Sequence, residues 1–282
     1  MKIASTATHL DLLGANDTLA GRYQFADAFK PHFHPLQTPR GHNLTLVSPH
    51  DHKHHKGLMF ALRTAEFNFW EEANPLPGQE IGHQRHVAFV SLIDRGDEVG
   101  FTEQLQWEAV DGGPRTTFTE LRTVRCRESQ NAFAWSWESE LTAVRDAQLI
   151  LSEWSHKQPD GSLVNYHGLG IRFRREFGGG TSNNALALDG EAPHWNRWPR
   201  YEFTSRMGAQ PQSVRFIGSL DGYPMEQASV TFIQPEGQNH ALYIFESGFA
   251  FMSLGPSNLA PVTVRVGEKL TCRYTIRVAD EL

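Results

Sequence analysis

Residues 132–142 read AFAWSWESELT. Phe133, Trp135 and Trp137 take alternate positions, with Ala134, Ser136 and Glu138 between them. A strand sends successive side chains to opposite faces, so this stretch carries one aromatic and one polar face. The same alternation runs through 86–93 (HVAFVSLI), 99–109 (VGFTEQLQWEA) and 117–127 (TFTELRTVRCR). Turn formers separate these runs, Asp-Arg-Gly-Asp at 94–97 and Asp-Gly-Gly-Pro at 111–114. Strand-like runs resume at 168–177, 214–219, 228–233, 241–246, 249–254, 261–266 and 270–278. The last two are joined by Gly267-Glu268-Lys269, which reads as a hairpin. At most one short helix fits, near residues 24–30. The pattern predicts an all-β protein, a large antiparallel β-sandwich spanning residues 1–282 as one domain. The irregular stretch 178–199 reads as a loop on the active side.

Composition narrows the function. The chain has 282 residues, is 39% hydrophobic and 21% charged, and carries 18 Phe and 7 Trp. That suits a folded protein with a large core or an aromatic cleft. A net charge of −6 without a basic run argues against nucleic acid as a partner. No apolar stretch is long enough for a membrane helix, and residues 1–14 lack the apolar core of a signal peptide. A cytoplasmic protein with no membrane partner is expected. The two cysteines, Cys126 and Cys272, lie in alternating sequence and read as buried thiols. No phosphate-binding loop or nucleophile elbow is present, and Gly178-Gly179-Gly180 is only a loop signal. Oligomeric state has no sequence signature here.

The chemistry concentrates at residues 49–57, Pro-His-Asp-His-Lys-His-His-Lys-Gly. Nine of the 14 histidines lie between His32 and His86. Imidazole titrates near neutrality and is the commonest metal ligand, so crowding it suggests metal binding or acid–base work. Pro49 fixes the entry to the run and Gly57 permits a turn before Leu58-Met59-Phe60-Ala61-Leu62. In an extended chain His50, His52 and His54 point one way, and Asp51 and His55 the other. His50, His52 and His54 are therefore the candidate ligands of a divalent metal ion, with Asp51 as ligand or as orienting carboxylate. Metal-free acid–base chemistry, or imidazoles that merely satisfy loop backbone groups, would use the same residues.

Other candidates are more scattered. Asn68-Phe69-Trp70-Glu71-Glu72 joins aromatics to two carboxylates, and Glu72 is a candidate base. His83 and His86 flank Gln84-Arg85, and one of them can reach the same cleft. His167 precedes a strand, where a lone histidine is usually a satisfied loop residue. An inward Arg172 would clamp a carboxylate or hydroxyl; outward, it is a sheet-surface arginine. Histidine, carboxylate and aromatic side chains together suit a sugar ring, stacked on its C–H face and bonded through its hydroxyls. Trp135, Trp137, Trp195 and Trp198 are candidate platforms, with core packing the default for the first two.

Three segments resemble bacterial proteins named methane oxygenase PmoA. They are Lys30-Pro31-His32-Phe33-His34-Pro35-Leu36-Gln37-Thr38-Pro39-Arg40-Gly41, Asp51-His52-Lys53-His54-His55-Lys56-Gly57-Leu58, and Phe67-Asn68-Phe69-Trp70-Glu71. Tyr166 to Arg172 and the tail from Gly248 to Val278 are also similar. The Asp-His-x-His-His-x-Gly element is the specific part. One departure falls at Gln234 to His240, where family members commonly carry Asp-His-Pro. The family name transfers no reaction, since membrane methane oxidation needs membrane-spanning helices. The resemblance implies a soluble β-sandwich encoded near sugar oxidoreductases and isomerases, similar in shape to the galactose-mutarotase-like supersandwich of aldose mutarotases.

The expectation is a carbohydrate-active enzyme, a metal-assisted hydrolase or lyase on a glycoside or keto-sugar. A metal-free aldose epimerase is the second reading, and a non-catalytic sugar-binding partner of an oxidoreductase the third. His54, His55, Asp51, Glu72 and His167 are the expected catalytic residues. His34, Trp70, His83 and Arg172 are expected to bind a small-molecule carbohydrate. His50, His52 and His54 would hold the divalent ion.

Overall fold

The computed structural model describes all residues except 74–75, 111–114, 153, 158–160, 178–199, 204–207, 223–225, 246–248 and 282, and the side chains of 200–203. The expected turn at 111–114, the loop 178–199, and Trp195 and Trp198 within it, lie outside the described residues.

Two large sheets carry the structure. One has eight strands in the order Lys2–Ser5, His9–Leu13, Leu19–Gln24, His32–Leu36, Leu58–Ala61, Gly168–Arg172, Phe251–Gly255, Ala241–Phe245. The other has nine, in the order Arg200–Phe203, Ser213–Ser219, Gln227–Ile233, Lys269–Glu281, Ala132–Ala143, Thr116–Ser129, Glu98–Ala109, Glu80–Arg95, Phe67–Asn68. Neighbours are antiparallel throughout the first sheet. In the second, only the short Phe67–Asn68 strand runs parallel to its neighbour.

The aromatic face of Ala132–Ala143 does the joining. Phe33 of the eight-stranded sheet meets the edges of Trp135 and Trp137 at 5.1 and 6.3 Å between ring centres. Tyr23 meets Phe101 and Phe60 meets Trp107 across the same interface. All seven rings are essentially inaccessible to solvent. Each buried ring of this size stabilises by roughly 1.5–3 kcal/mol. The all-β antiparallel sandwich read from alternation is what the structure contains.

A polar seam runs inside the sandwich. Arg122, fully buried, donates to both oxygens of Glu120 at 2.8 and 2.9 Å and to Gln84. Tyr23 donates to Glu103, whose other oxygen meets His86 Nδ1 at 2.6 Å. Burial holds the Glu103 carboxyl above its ordinary range despite these partners.

Two sequence expectations are corrected. Residues 24–30 form no helix: the Asp27 carboxylate accepts the backbone N–H groups of Phe29 and Lys30, closing a local turn instead. The closing pair is not a hairpin. Gly267 does turn, at φ +80. Val262–Val264 then pairs with Ala147–Leu149, while Lys269–Glu281 joins the nine-stranded sheet beside Ala132–Ala143. Local turn chemistry cannot choose between these partners; burial of Cys272, Tyr274, Ile276 and Val278 on one face does.

The eight-stranded sheet has two apolar faces. In Leu58–Ala61, Leu58 and Phe60 enter the main core. Met59 and Ala61 turn to the other face, where they join Trp70, Val164, Tyr166, Tyr243 and Phe251 in a second cluster. Glycines make room for it. A Cβ on Gly170 would lie 2.7 Å from Phe251 and 3.1 Å from Trp70. Gly168, at φ +98, leaves no space at all, its Cβ falling 2.1 Å from the Leu254 carbonyl oxygen.

Candidate functional site: a cleft of neutral imidazoles

A cleft of about 660 Å³ opens over this second cluster. Its polar side is His50, Asp51, His52, Lys53, His54, His55, Glu71 and Glu72. Trp154, Tyr166, Tyr243, Phe245, Phe249 and Phe251 supply the aromatic wall.

The histidine run is folded into turns, not extended. His52 N–H donates to Pro49 O, His55 N–H to His52 O, and Ser48 N–H to His55 O at 2.8 Å. Ser48 takes φ +46 to close the loop and Gly57 takes φ +65 to leave it. Winding brings rings that alternation would separate into one group. His52 stacks on His55 at 4.7 Å, and His54 meets His55 edge-on at 4.6 Å. His55 in turn stacks on Phe251 at 4.6 Å.

Three buried cations organise the loop. Lys30 Nζ, inaccessible to solvent, donates to the carbonyls of His54 and Trp70 and to Glu72 Oε1 at 3.1 Å. Lys56 lies 3.3 Å from Glu72 Oε2 and 3.4 Å from Asp27. Arg172, also inaccessible, donates to His55 Nδ1 at 3.0 Å and to Asp51 Oδ2 at 2.8 Å. Its guanidinium lies 4.0 Å from the centre of the Phe249 ring.

These contacts fix the protonation states. An arginine only donates, so His55 Nδ1 must accept and the neutral ring carries its proton on Nε2. That Nε2 has no acceptor in the protein. Burial pushes His55 far below the usual imidazole value, reinforced by His54, His52 and Arg172 nearby. Burial likewise pushes His54 down to about 2, and its Nε2 also lacks a partner. Asp51 goes the other way: burial works to raise it, but the Arg172 hydrogen bond and charge win and hold it at about 2. Beside the cleft, Glu71 accepts from Asn68 at 2.8 Å and from the Tyr166 hydroxyl at 3.3 Å.

Of the expected catalytic residues, Asp51, His54, His55 and Glu72 line the cleft together. His167 does not. It is fully buried against Trp70 and Tyr166, with Nδ1 held by Asn165 and Nε2 without a partner. The expected substrate-binding set is largely corrected. His34 bonds to Thr45, and His83 lies beside Glu108 on the other sheet. Trp70 is buried beneath the wall, and Arg172 spends its guanidinium on Asp51 and His55. None of these four lines the cleft.

The ligand set His50, His52 and His54 is corrected too. It assumed an extended chain; the turns group His52 and His54 with His55, while His50, also lining the cleft, meets Arg175 instead. Among the described residues no group of three His, Cys, Asp or Glu side chains is arranged to hold a metal ion. A guanidinium sharing the imidazole cluster also disfavours a divalent cation. Sequence reasoning missed Lys30 as an organiser and the whole aromatic wall. Tyr166 stood beside His167, and Phe249 and Phe251 beside the predicted strand, but alternation alone marks such rings as core.

Residues 12–282 match the model of a family described as "Family of unknown function (DUF6807)". The chain belongs to DUF6807. No curated protein matches this DUF6807 chain. Among solved structures it is similar to the GH36 alpha-galactosidase AgaA from Geobacillus stearothermophilus, with TM-score 0.40 and 10% identity over 100% of this chain and 40% of that one. It is similar also to the alpha-galactosidase from Lactobacillus brevis, with TM-score 0.39 and 10% identity over 99% of this chain and 39% of that one. The DUF6807 chain thus spans 40% and 39% of the length of those enzymes, and at this level the likeness carries no activity. Among its described residues no helix is long and apolar enough to cross a membrane.

Proposed function

We propose that the cleft is a carbohydrate-active site for an oxidised (keto) sugar and that its chemistry is proton abstraction beside the carbonyl. The observation that carries this is the hydrogen bond from Arg172 to His55 Nδ1. It leaves a neutral Nε2–H donor, with a fixed guanidinium behind it. Such a donor stabilises negative charge developing on oxygen, as in an enolate. It is a poor proton source, and glycoside hydrolysis by the usual carboxylate route needs a protonated acid beside a cationic transition state. The site therefore favours elimination over hydrolysis.

In this mechanism the carbonyl oxygen accepts from His55 Nε2–H. Glu72, held by Lys30 and Lys56, takes the proton from the carbon next to the carbonyl. The electron pair of the broken C–H bond moves to the carbonyl oxygen as an enolate. It then returns, the bond to the β-alkoxy group breaks, and the leaving oxygen recovers the proton from Glu72. An enone and an alcohol result, with no change in overall oxidation state. Asp51 is too firmly ionised to serve as the base and instead anchors Arg172.

The test uses a nitrophenyl glycoside oxidised at the ring carbon two positions from the anomeric carbon and deuterated at the carbon between them. Nitrophenol release with loss of that deuterium from the sugar is expected. Glu72→Gln should stop both, and His55→Ala should slow both by about 100- to 1,000-fold, the usual loss for one oxyanion donor. Release that leaves the deuterium on the sugar, or equal cleavage of the unoxidised glycoside, refutes the mechanism.

A further inference from the structure

The polar side of the cleft occupies only part of it. The rest is aromatic, and nothing in the elimination chemistry uses that wall. Trp154 is the most exposed large apolar side chain among the described residues, at 64%. It sits at the cleft beside the short Leu163–Val164 and His156–Lys157 pairing, its backbone N–H held by Ser152 Oγ at 3.1 Å. Exposing an indole to water is unfavourable unless something covers it. Phe245 and Phe249 form a second patch, 4.5 Å between ring centres. Tyr166 and Tyr243 continue it at 5.4 Å, and Tyr243 reaches Phe251 at 6.3 Å. Phe251 is the ring on which His55 stacks. The wall is thus continuous with the imidazole that would hold the enolate oxygen.

We infer that this wall is the subsite for the leaving group, and that the group is a flat aromatic aglycone stacked against Trp154. This inference rests on the keto-sugar reading of the same cleft. A second sugar ring would need hydroxyl partners, and the six rings lining this side offer few polar atoms. A flat aryl group needs only faces and edges, which the wall supplies. The cleft volume of about 660 Å³ leaves room for an aglycone beside a single sugar ring. The arrangement also fits the chemistry, because an aryl alkoxide leaves more readily than an alkyl one.

Binding of unoxidised, unreactive glycosides separates this inference from the mechanism. Dissociation constants for the phenyl and methyl glycosides of one sugar are measured by calorimetry, for the wild type and Trp154→Ala. The phenyl glycoside should bind about tenfold tighter in the wild type, the scale of one good aromatic pair. That preference should fall to about two- to threefold or less in Trp154→Ala, with the methyl glycoside unchanged. Equal binding of the two glycosides, no binding of either, or a preference untouched by Trp154→Ala overturns the aglycone subsite. A phenyl preference that depends on Trp154, in a protein that neither releases the aglycone of the deuterated keto-glycoside nor removes its deuterium, upholds the subsite and removes the elimination mechanism instead.

Discussion

Acid should destabilise this protein well before its carboxylates titrate. His32 and His240 are pushed down to about 4, and His54 to about 2, each chiefly by burial. Each is therefore neutral when folded but takes a proton near its ordinary value of 6.5 when unfolded. A folded pKa below the unfolded one means the unfolded chain binds more protons, so stability rises with pH across that window. It is fully present about a unit above 6.5 and is lost as the pH falls through 6.5 toward the folded values. One unit below 6.5, each group costs about 1.4 kcal/mol, and the three together cost about 4 kcal/mol. His55 and His167 are displaced in the same direction and add to it. That total is a large part of the 5–15 kcal/mol typical of a whole domain. Glu103 opposes the trend, since its raised carboxyl favours the folded state at lower pH, but it is one group against several. The assay is urea unfolding at pH 7.5, 6.5 and 5.5, followed by tryptophan fluorescence. The midpoint should fall slightly between 7.5 and 6.5, where the three groups together cost about 1 kcal/mol, and drop sharply by 5.5. His54→Gln should make the drop shallower, because it removes one of the protons taken up. A midpoint that stays level down to pH 5 would refute the assignment of neutral, desolvated imidazoles.

Three further outcomes follow from the same geometry. Arg172→Met removes the donor that sets the His55 tautomer, so the ¹⁵N signals of that ring should shift from one tautomer to a mixture. Stability should fall by about 2 kcal/mol, kept modest because the Asp51 side chain is 26% exposed and rehydrates; an unchanged tautomer would contradict the locking role. Lys30→Met strips the buried partner from Glu72 Oε1 and leaves the His54 and Trp70 carbonyls unpaired, which should cost about 3–5 kcal/mol in denaturant unfolding. A loss below about 1 kcal/mol would mean water replaces the ammonium without penalty. Gly168→Ala forces a Cβ to within 2.1 Å of the Leu254 oxygen at φ +98, so the strand must shift. It should cost at least about 2–3 kcal/mol, and a Tm within a degree of wild type would refute the close approach.

The sequence made the sheets legible wherever both neighbours and burial agreed. Residues 132–142 and 117–127 were read almost to their ends, because one face is buried and alternation reports that directly. The pairing of 261–266 failed for the opposite reason. Its turn was correct, yet a turn fixes only local geometry, and which strand it delivers depends on distant partners such as Ala147–Leu149. At the site, the identity of the histidine run was legible and its shape was not. Alternation placed His50 with His52 and His54, whereas two successive turns group His52, His54 and His55. Ser48, whose N–H closes the loop onto His55 O, adopts φ +46 although serine gives little sign of it. Arg172 could be read either as an inward clamp or as a sheet-surface arginine; its partners come from a loop more than a hundred residues away, and sequence spacing carries no such information.

A crowd of imidazoles would repel itself if the rings charged together, and the protein solves this by never letting them charge. The solution has a chemical consequence. His54 and His55 are buried, sit close to Lys30 and Arg172, and are pushed so low that neither can deliver a proton at neutral pH. A general-acid role for them is inconsistent with that environment, whereas hydrogen-bond donation from Nε2–H is favoured by it. The cations that suppress protonation are the same ones that would stabilise an oxyanion. Arg172 does so through His55, and Lys30 does so while holding Glu72 in place through Oε1. One arrangement thus answers both the stability problem and the catalytic one. Substituting Arg172 with a neutral residue should degrade the two together: His55 becomes easier to protonate, and nothing fixes its proton on Nε2 any longer.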